Sequence, residues 1–273
     1  MIIGNKEFDV ENKSYIMGIL NVTPDSFSDG GKWNELDRAF KHTEEMIDNG
    51  AAIIDIGGES TRLGYVHVSA GEEIERVLPY IEGIKKRFDV PISIDTYKAP
   101  VALAAVKGGA DLINDIWGFK GDENMASVAA KLNVPCCIMH NRDIDKNPYK
   151  DLMNDVLSDI RESVDMGLKA GVKLEMMISD PGIGLGFGKT YEDNLFLMNN
   201  LERLKELKLP ILLGTSRKSM IGLALDLPVE ERVEGTIATT VMGVMKGCAF
   251  IRVHDVKENY RALRMTEKIL GRS

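Results

Sequence analysis

The side chains best able to do chemistry in this chain share a placement: each follows a short β-branched run. Asn21 follows the first run, and Gly57-Gly58-Glu59-Ser60-Thr61-Arg62 the second. Asp95-Thr96, Asn114-Asp115, His140-Asn141 and Asp180-Pro181-Gly182 follow the next four. Thr215-Ser216-Arg217-Lys218 and Arg252-Val253-His254-Asp255 follow the last two. A lone polar residue after a strand is commonly a helix cap or a turn former. That account fails for the set, because caps have no use for Lys, Arg and His. Two chemistries separate. Asp95 and Asp180 offer carboxylate acceptors, and Asn114 an amide that both donates and accepts. Such a trio suits a flat heterocycle with an amino-pyrimidinone edge, such as guanine or a pterin, whose polar atoms must be paired when buried. Lys218, Arg252, His254, Thr61 and Arg62, with Asn21 nearby, are basic or donor-rich. In an otherwise acidic chain they point to an anionic substrate arm, most simply a phosphate.

The elements that must position them are the runs at 15–20, 52–56, 91–94, 111–113, 135–139, 175–179, 211–214 and 249–253. Between the runs lie stretches with apolar residues at helical spacing, such as 37–48, 72–88, 125–132, 151–169, 194–207 and 235–245. Gly50, Gly108, Gly171 and Gly247 read as helix stops. Strand–helix alternation sustained over eight units predicts an α/β fold of the (β/α)8 TIM-barrel class, with its site at the C-terminal ends of the strands. An open doubly wound sheet would show the same local pattern, but no glycine fingerprint follows the first strand. Residues 2–14 precede strand one and read as a short hairpin around Gly4-Asn5, placed to plug the bottom of the barrel. No linker or repeat interrupts residues 1–273, which are expected to form a single domain.

Composition sets the outer limits. Lys and Arg number 34 against 42 Asp and Glu, a net charge of −8, which argues against nucleic acid as a partner. Mean hydropathy of −0.12 and no long apolar run argue against a membrane helix, and charges near the N-terminus against a secretory leader. Three cysteines, two of them adjacent at Cys136 and Cys137, make neither a disulfide framework nor a zinc pattern. They read as small strand hydrophobes in a cytoplasmic protein. Weaker candidates are set aside: Gly186-Phe187-Gly188-Lys189-Thr190 lacks the glycine six positions before Lys189 that a phosphate loop needs, and His42 and His67 read as surface side chains.

Longer motifs carry a family resemblance. Gly18-Ile19-Leu20-Asn21-Val22-Thr23-Pro24-Asp25-Ser26-Phe27-Ser28-Asp29-Gly30-Gly31 and Asp55-Ile56-Gly57-Gly58-Glu59-Ser60-Thr61-Arg62 resemble the first two signatures of the dihydropteroate synthases. Ser93-Ile94-Asp95-Thr96, Ile113-Asn114-Asp115, Asp180-Pro181-Gly182-Ile183-Gly184, Ser216-Arg217-Lys218-Ser219 and Arg252-Val253-His254-Asp255 follow in the family's order. The resemblance implies a TIM-barrel transferase of folate biosynthesis, usually a homodimer. It would condense 6-hydroxymethyl-7,8-dihydropterin diphosphate with 4-aminobenzoate, with Mg²⁺, and be a sulfonamide target. It further implies that Asp95, Asn114, Asp180 and Lys218 hold the pterin, and that Asn21 is tied to Mg²⁺ and diphosphate. Thr61, Arg252 and His254 would contact the diphosphate, Arg62 and Ser219 would serve the aminobenzoate region, Ile116 and Met139 would supply apolar walls, and Phe187 is expected to bind substrate. Catalysis is then expected to fall to Lys218, Arg252, His254 and Asp95.

Two departures from the family pattern stand out. The second loop usually continues Thr-Arg-Pro-Gly and here reads Thr61-Arg62-Leu63-Gly64; the sixth-strand loop carries two extra residues within 183–188. Two other readings compete with the synthase resemblance. A methyltetrahydrofolate-dependent corrinoid methyltransferase shares a pterin pocket but needs no diphosphate residues. A catalytically silent pterin-binding partner subunit could have lost the anion-binding and loop residues, which are present here.

Overall fold

A computed structural model describes residues 1–22, 32–59 and 67–272. The chain opens with β1 (Ile2–Ile3) and β2 (Lys6–Glu7), an antiparallel hairpin turning through Gly4, whose φ of 60° lies in the left-handed region open to glycine. Eight parallel strands follow: β3 (Tyr15–Asn21), β4 (Ala51–Gly57), β5 (Ile92–Asp95), β6 (Leu112–Asp115), β7 (Cys136–Met139), β8 (Met177–Asp180), β9 (Leu212–Leu213) and β10 (Phe250–Val253). They pair in the order β8-β7-β6-β5-β4-β3-β10-β9. A parallel bridge between Ser179 and Ile211 then draws β8 onto β9, so the sheet nearly closes into the expected TIM barrel.

The connecting helices are α1 (Lys32–Asp48), α2 (Ala70–Arg87), α3 (Ala99–Lys107), α4 (Met125–Leu132), α5 (Leu152–Ala170), α6 (Tyr191–Asn199), α7 (Ser219–Leu225), α8 (Val233–Lys246) and α9 (Val256–Ile269). Their apolar faces meet one side of each strand. Ile16, Leu20, Ile54, Ile56, Ile92, Ile94, Ile113, Ile138 and Ile251 belong to that outer core with Val77, Ile81, Leu157, Ile160 and Leu263. Alternate strand residues turn the other way. Met17, Ile53, Leu112, Cys137, Ile178, Leu212 and Phe250 form a separate apolar cluster inside the barrel, completed by Ile3 and Phe8 beside the hairpin. The hairpin therefore plugs the barrel bottom, as expected, with the Phe8 and Phe250 rings 5.7 Å apart.

Two expectations need correction. The stretch 194–207 is not one helix: α6 ends at Asn199 and a 3₁₀ turn, Leu201–Leu207, follows. The Asn200 side chain donates to the Phe196 carbonyl at 2.8 Å, the local competition that makes Asn a poor helix interior residue. Gly50, Gly171 and Gly247 stop their helices at φ of 102°, 103° and 89°; Gly108 also caps α3, but right-handed at −77° and not in the left-handed C′ conformation. The left-handed residue there is Gly109, with φ of 118°. Cys136, Cys137 and Cys248 are all buried and unpaired, and burial raises each thiol, Cys248 to about 12.

Candidate active site

Two residues beyond the apolar layer, the same inward-facing positions become polar. Ile53 gives way to Asp55, Leu112 to Asn114, Ile178 to Asp180 and Phe250 to Arg252, and on β5 the small polar Ser93 gives way to Asp95. Strand register then aligns them. Asn21 pairs with Gly57, Gly57 with Asp95, and Asp95 with Asn114 across four adjacent strands. Asp55, Asn114 and Asp180 are buried, and buried charges persist only when paired. Arg252 provides the pairing. Its Nε donates to Asp55 Oδ2 and its Nη2 to Asp95 Oδ2, both at 2.6 Å. The Asn114 amide lies 3.5 Å from Asp55 Oδ1, and Asp180 Oδ1 accepts the Gly182 amide at 2.7 Å.

Lys218 completes this group. Its ammonium donates to the Ile183 carbonyl and stands 5.1 Å from the centre of the Phe187 ring. Gly214 has both basic groups at its side: a Cβ there would sit 3.8 Å from Arg252 and 3.9 Å from Lys218 Nζ. Electrostatics at this floor are finely balanced. Burial raises the Asp95 carboxyl to about 7, against the pull of Arg252 and with the push of Asp55. Burial also raises Asp180, opposed by Lys218, and lowers the Lys218 ammonium to about 8, opposed by Asp180. Burial would lower Arg252 as well, yet Asp55 and Asp95 outweigh it and hold the guanidinium above its ordinary value.

The donor-rich side lies at β9 and β10. The Ser216 hydroxyl sits 3.0 Å from His254 Nδ1 and accepts the His254 amide at 3.1 Å. Arg217, at φ of 56°, clamps Asp255 with two guanidinium nitrogens, which ties the two loops together. Above the floor, Ile116, Met139 and Phe187 form a small apolar cluster packed by Tyr97 and Trp117. Ser219 opens α7 at the surface, where it lines a cavity with Leu185 of the loop after β8.

The sequence-predicted residues Asp95, Asn114, Asp180, Lys218 and Arg252 are thus brought together, with Asn21, His254 and the apolar trio around them. Thr61 and Arg62 lie outside the described residues, as do 23–31 of the first signature motif. Arg252 faces two carboxylates, not the serine-bound His254. His140, placed in the ring by its position after β7, is turned away into a buried chain with Asp159 and Lys189. Asp55 was not expected as a site residue. Its signal was present: a carboxylate inside the apolar run Ala52–Ile53–Ile54–Asp55–Ile56 has to find a buried cation. His67 is exposed, but it contacts Tyr97 and Glu59, the latter joined to Glu73 through Lys98.

The model of the pterin binding enzymes matches residues 17–254, which run from within β3 to just past β10. The dihydropteroate synthase of Clostridium beijerinckii is 66% identical over 100% of both chains. The chain belongs to the pterin binding enzymes, among the dihydropteroate synthases. Solved structures of that family agree in shape as well as sequence. A dihydropteroate synthase from Clostridium difficile, crystallised in the presence of pteroic acid, superposes with a TM-score of 0.93 at 52% identity, covering 98% of this chain and 100% of that one. The Yersinia pestis dihydropteroate synthase in complex with a sulfonamide drug gives 0.92 at 41% identity, covering 99% of each. Membership of the dihydropteroate synthases matches the polar floor described above, which has paired acceptors on one side and cations on the other.

Proposed function

We propose that this chain catalyses the dihydropteroate synthase reaction, joining 6-hydroxymethyl-7,8-dihydropterin diphosphate to 4-aminobenzoate. The observation that carries the reading is the Asp95–Arg252–Asp55 group beside Asn114 and Asp180, an acceptor-lined floor matched to an aminopyrimidinone edge. In the reaction the bond between the pterin methylene carbon and the diphosphate oxygen breaks, and a carbon–nitrogen bond forms. Diphosphate leaves with the electron pair, and the arylamine nitrogen loses a proton to solvent. Positive charge developing on the pterin is favoured by the carboxylates of Asp95 and Asp180. Arg252 and His254, with Thr61, offer the cation and donors for the departing anion, and Lys218 stays with the pterin. Arg62 and Ser219 are assigned to the aminobenzoate, and Ile116, Met139 and Phe187 to the ring walls. A neutral arylamine is already nucleophilic at pH 7, so positioning supplies much of the remaining acceleration.

A Mg²⁺ ion fits this reading in one way. Among the described residues no group of three or more His, Cys, Asp or Glu gathers as a metal site. Asn21 offers one hard oxygen, 3.8 Å from where a Cβ on Gly57 would sit and so on the Asp95 side of the floor. That donor set suits an ion held chiefly by diphosphate oxygens and water, with Asn21 as a protein ligand. When bound, the ion supplies charge neutralisation for the leaving group.

The same reading takes residues 1–273 as one barrel domain that acts as a homodimer. Exposed Leu223, Leu225, Met245, Met265 and Ile269 on α7, α8 and α9 support an apolar contact between copies. The cytoplasm suits three cysteines none of which is paired, and no described helix is long and apolar enough to cross a membrane. The deciding assay mixes the purified protein with the pterin diphosphate, 4-aminobenzoate and Mg²⁺. Diphosphate released in step with dihydropteroate supports the assignment; no product from a folded protein overturns it.

A further inference from the structure

The loop from Gly182 to Gly188 carries Phe187 into the pocket, yet it is rich in glycine and has little stiffness of its own. Gly182, Gly184 and Gly188 take φ of 66°, 153° and 69°, and a Cβ on Gly182 would lie 2.0 Å from the His140 carbonyl oxygen. Such a segment needs external ties to hold an aromatic ring still. One is the Gly184 amide, which donates to Asn194 Oδ1 at 2.6 Å. A second is the Ile183 carbonyl, which accepts from Lys218 Nζ, and the tie on Phe187 itself is Lys189, whose buried Nζ donates to the Phe187 carbonyl at 3.2 Å.

Lys189 is itself aimed by a chain that leads out of the barrel. Its Nζ lies 2.8 Å from His140 Nδ1, and His140 Nε2 lies 3.0 Å from Asp159 Oδ2 on α5. The Asp159 carboxylate can only accept, so Nε2 must carry the imidazole proton and Nδ1 must accept from Lys189. Arg142 Nε locks the far end by donating to Asp159 Oδ2 at 2.8 Å. The direction of every bond is therefore set, from the loop after β8 through the end of β7 to α5. Burial lowers the Lys189 ammonium to about 7, and keeping this amine buried costs free energy that an apolar side chain would not, so its retention asks for a geometric return.

We propose that Lys189, aimed by His140 and Asp159, is a positioning residue that fixes the Phe187 wall and thereby sets how the arylamine substrate is held. The inference rests on the synthase reading above. Phe187 is seated between two features that need its exact height: a Gly184 Cβ would lie 2.8 Å from its ring, and the Lys218 ammonium stands beside its face. Releasing the Phe187 carbonyl lets the ring drift from Lys218 and from Ile116 and Met139, with which it forms the wall.

The test begins with turnover by the unaltered enzyme, which establishes the synthase reading separately. Lys189→Met keeps the aliphatic stem and removes the donors. Its KM for 4-aminobenzoate should rise about ten-fold, with pterin affinity little changed. Lys189→Met in a Phe187→Leu background should add almost nothing, because the group through which Lys189 acts is already gone. Fully additive effects, or an unchanged KM in folded Lys189→Met, overturn the proposal. A second pair covers a failure of that variant to fold. His140→Asn keeps an acceptor near the Nδ1 position and should hold KM near the parent value, whereas His140→Leu should raise it. Equal KM values for the two overturn the proposal as well.

Discussion

Replacing Asp55 with Asn removes one charge from a buried ion pair. Asp55 is fully buried and Arg252 Nε donates to it at 2.6 Å. Breaking a buried pair by removing one partner typically costs about 3–5 kcal/mol. Here Arg252 keeps Asp95 at 2.6 Å and its side chain is 18% exposed, which places the expected loss lower, at about 2–3 kcal/mol. The effect should reach the pterin edge. An amide at position 55 can turn its own donors towards Asn114, which the carboxylate never did, and a misoriented Asn114 strands a ligand donor or acceptor. That is worth about 1–2 kcal/mol, or roughly ten-fold in affinity for the diphosphate-free pterin alcohol. Asp95 should also fall below its value of about 7, because a like charge has gone from its side. Urea unfolding with an unchanged slope gives the first quantity and titration calorimetry with the pterin alcohol the second. A variant within about 0.5 kcal/mol of the parent, binding pterin alcohol equally well, would refute the assignment of Asp55 to the floor.

Three further outcomes are expected. His254→Ala should lower kcat while leaving pterin-alcohol affinity intact, since the charge it serves appears on the leaving diphosphate; equal losses in both count against that role. Deleting Leu185 and Gly186 makes the loop read Asp-Pro-Gly-Ile-Gly-Phe-Gly-Lys and should lower the inhibition constant of a sulfonamide about ten-fold. Leu185 lines a cavity with Ser219, the residue assigned to the aminobenzoate region, and a sulfonyl group is bulkier than a planar carboxylate; an unchanged constant in an active deletant removes the idea. His140 is held neutral: burial lowers its imidazole to about 4, against the hydrogen bond to Asp159. An unfolded chain takes up that proton near pH 6.5, so stability due to this group falls as pH drops from about 6.5 to 4. The loss is about 3 kcal/mol, read as the difference in unfolding free energy between the parent and His140→Asn across that window. A difference that does not change with pH would mean that the imidazole titrates in the folded protein as it does in the unfolded chain.

Much of this protein was legible in one dimension. Periodicity locates all eight barrel strands to within about two residues at either end, because apolar side chains that alternate between helix layer and barrel interior leave a run that needs no partner to be recognised. The residues just past those runs mark the floor, since a TIM barrel has only one end at which strands deliver side chains to a site. The break at Asn200 was not legible, because the residues on either side keep helical spacing and the Asn200 side chain turns back to the Phe196 carbonyl only in the folded chain. Nor was the partner of any charge. Asp55 and Arg252 are 197 positions apart, and nothing local says that they meet; closing the barrel puts β4 and β10 on either side of β3 and leaves their inward side chains facing the same interior. His140 shows the reverse case: its place after β7 reads as a site position, and only the packing of α5 against that strand turns the ring towards Asp159 and Lys189. Composition and spacing decide which residues arrive at the top of the barrel. Which of them pair, and which are left open to a substrate, depends on distances across the barrel that exist only once the sheet has closed.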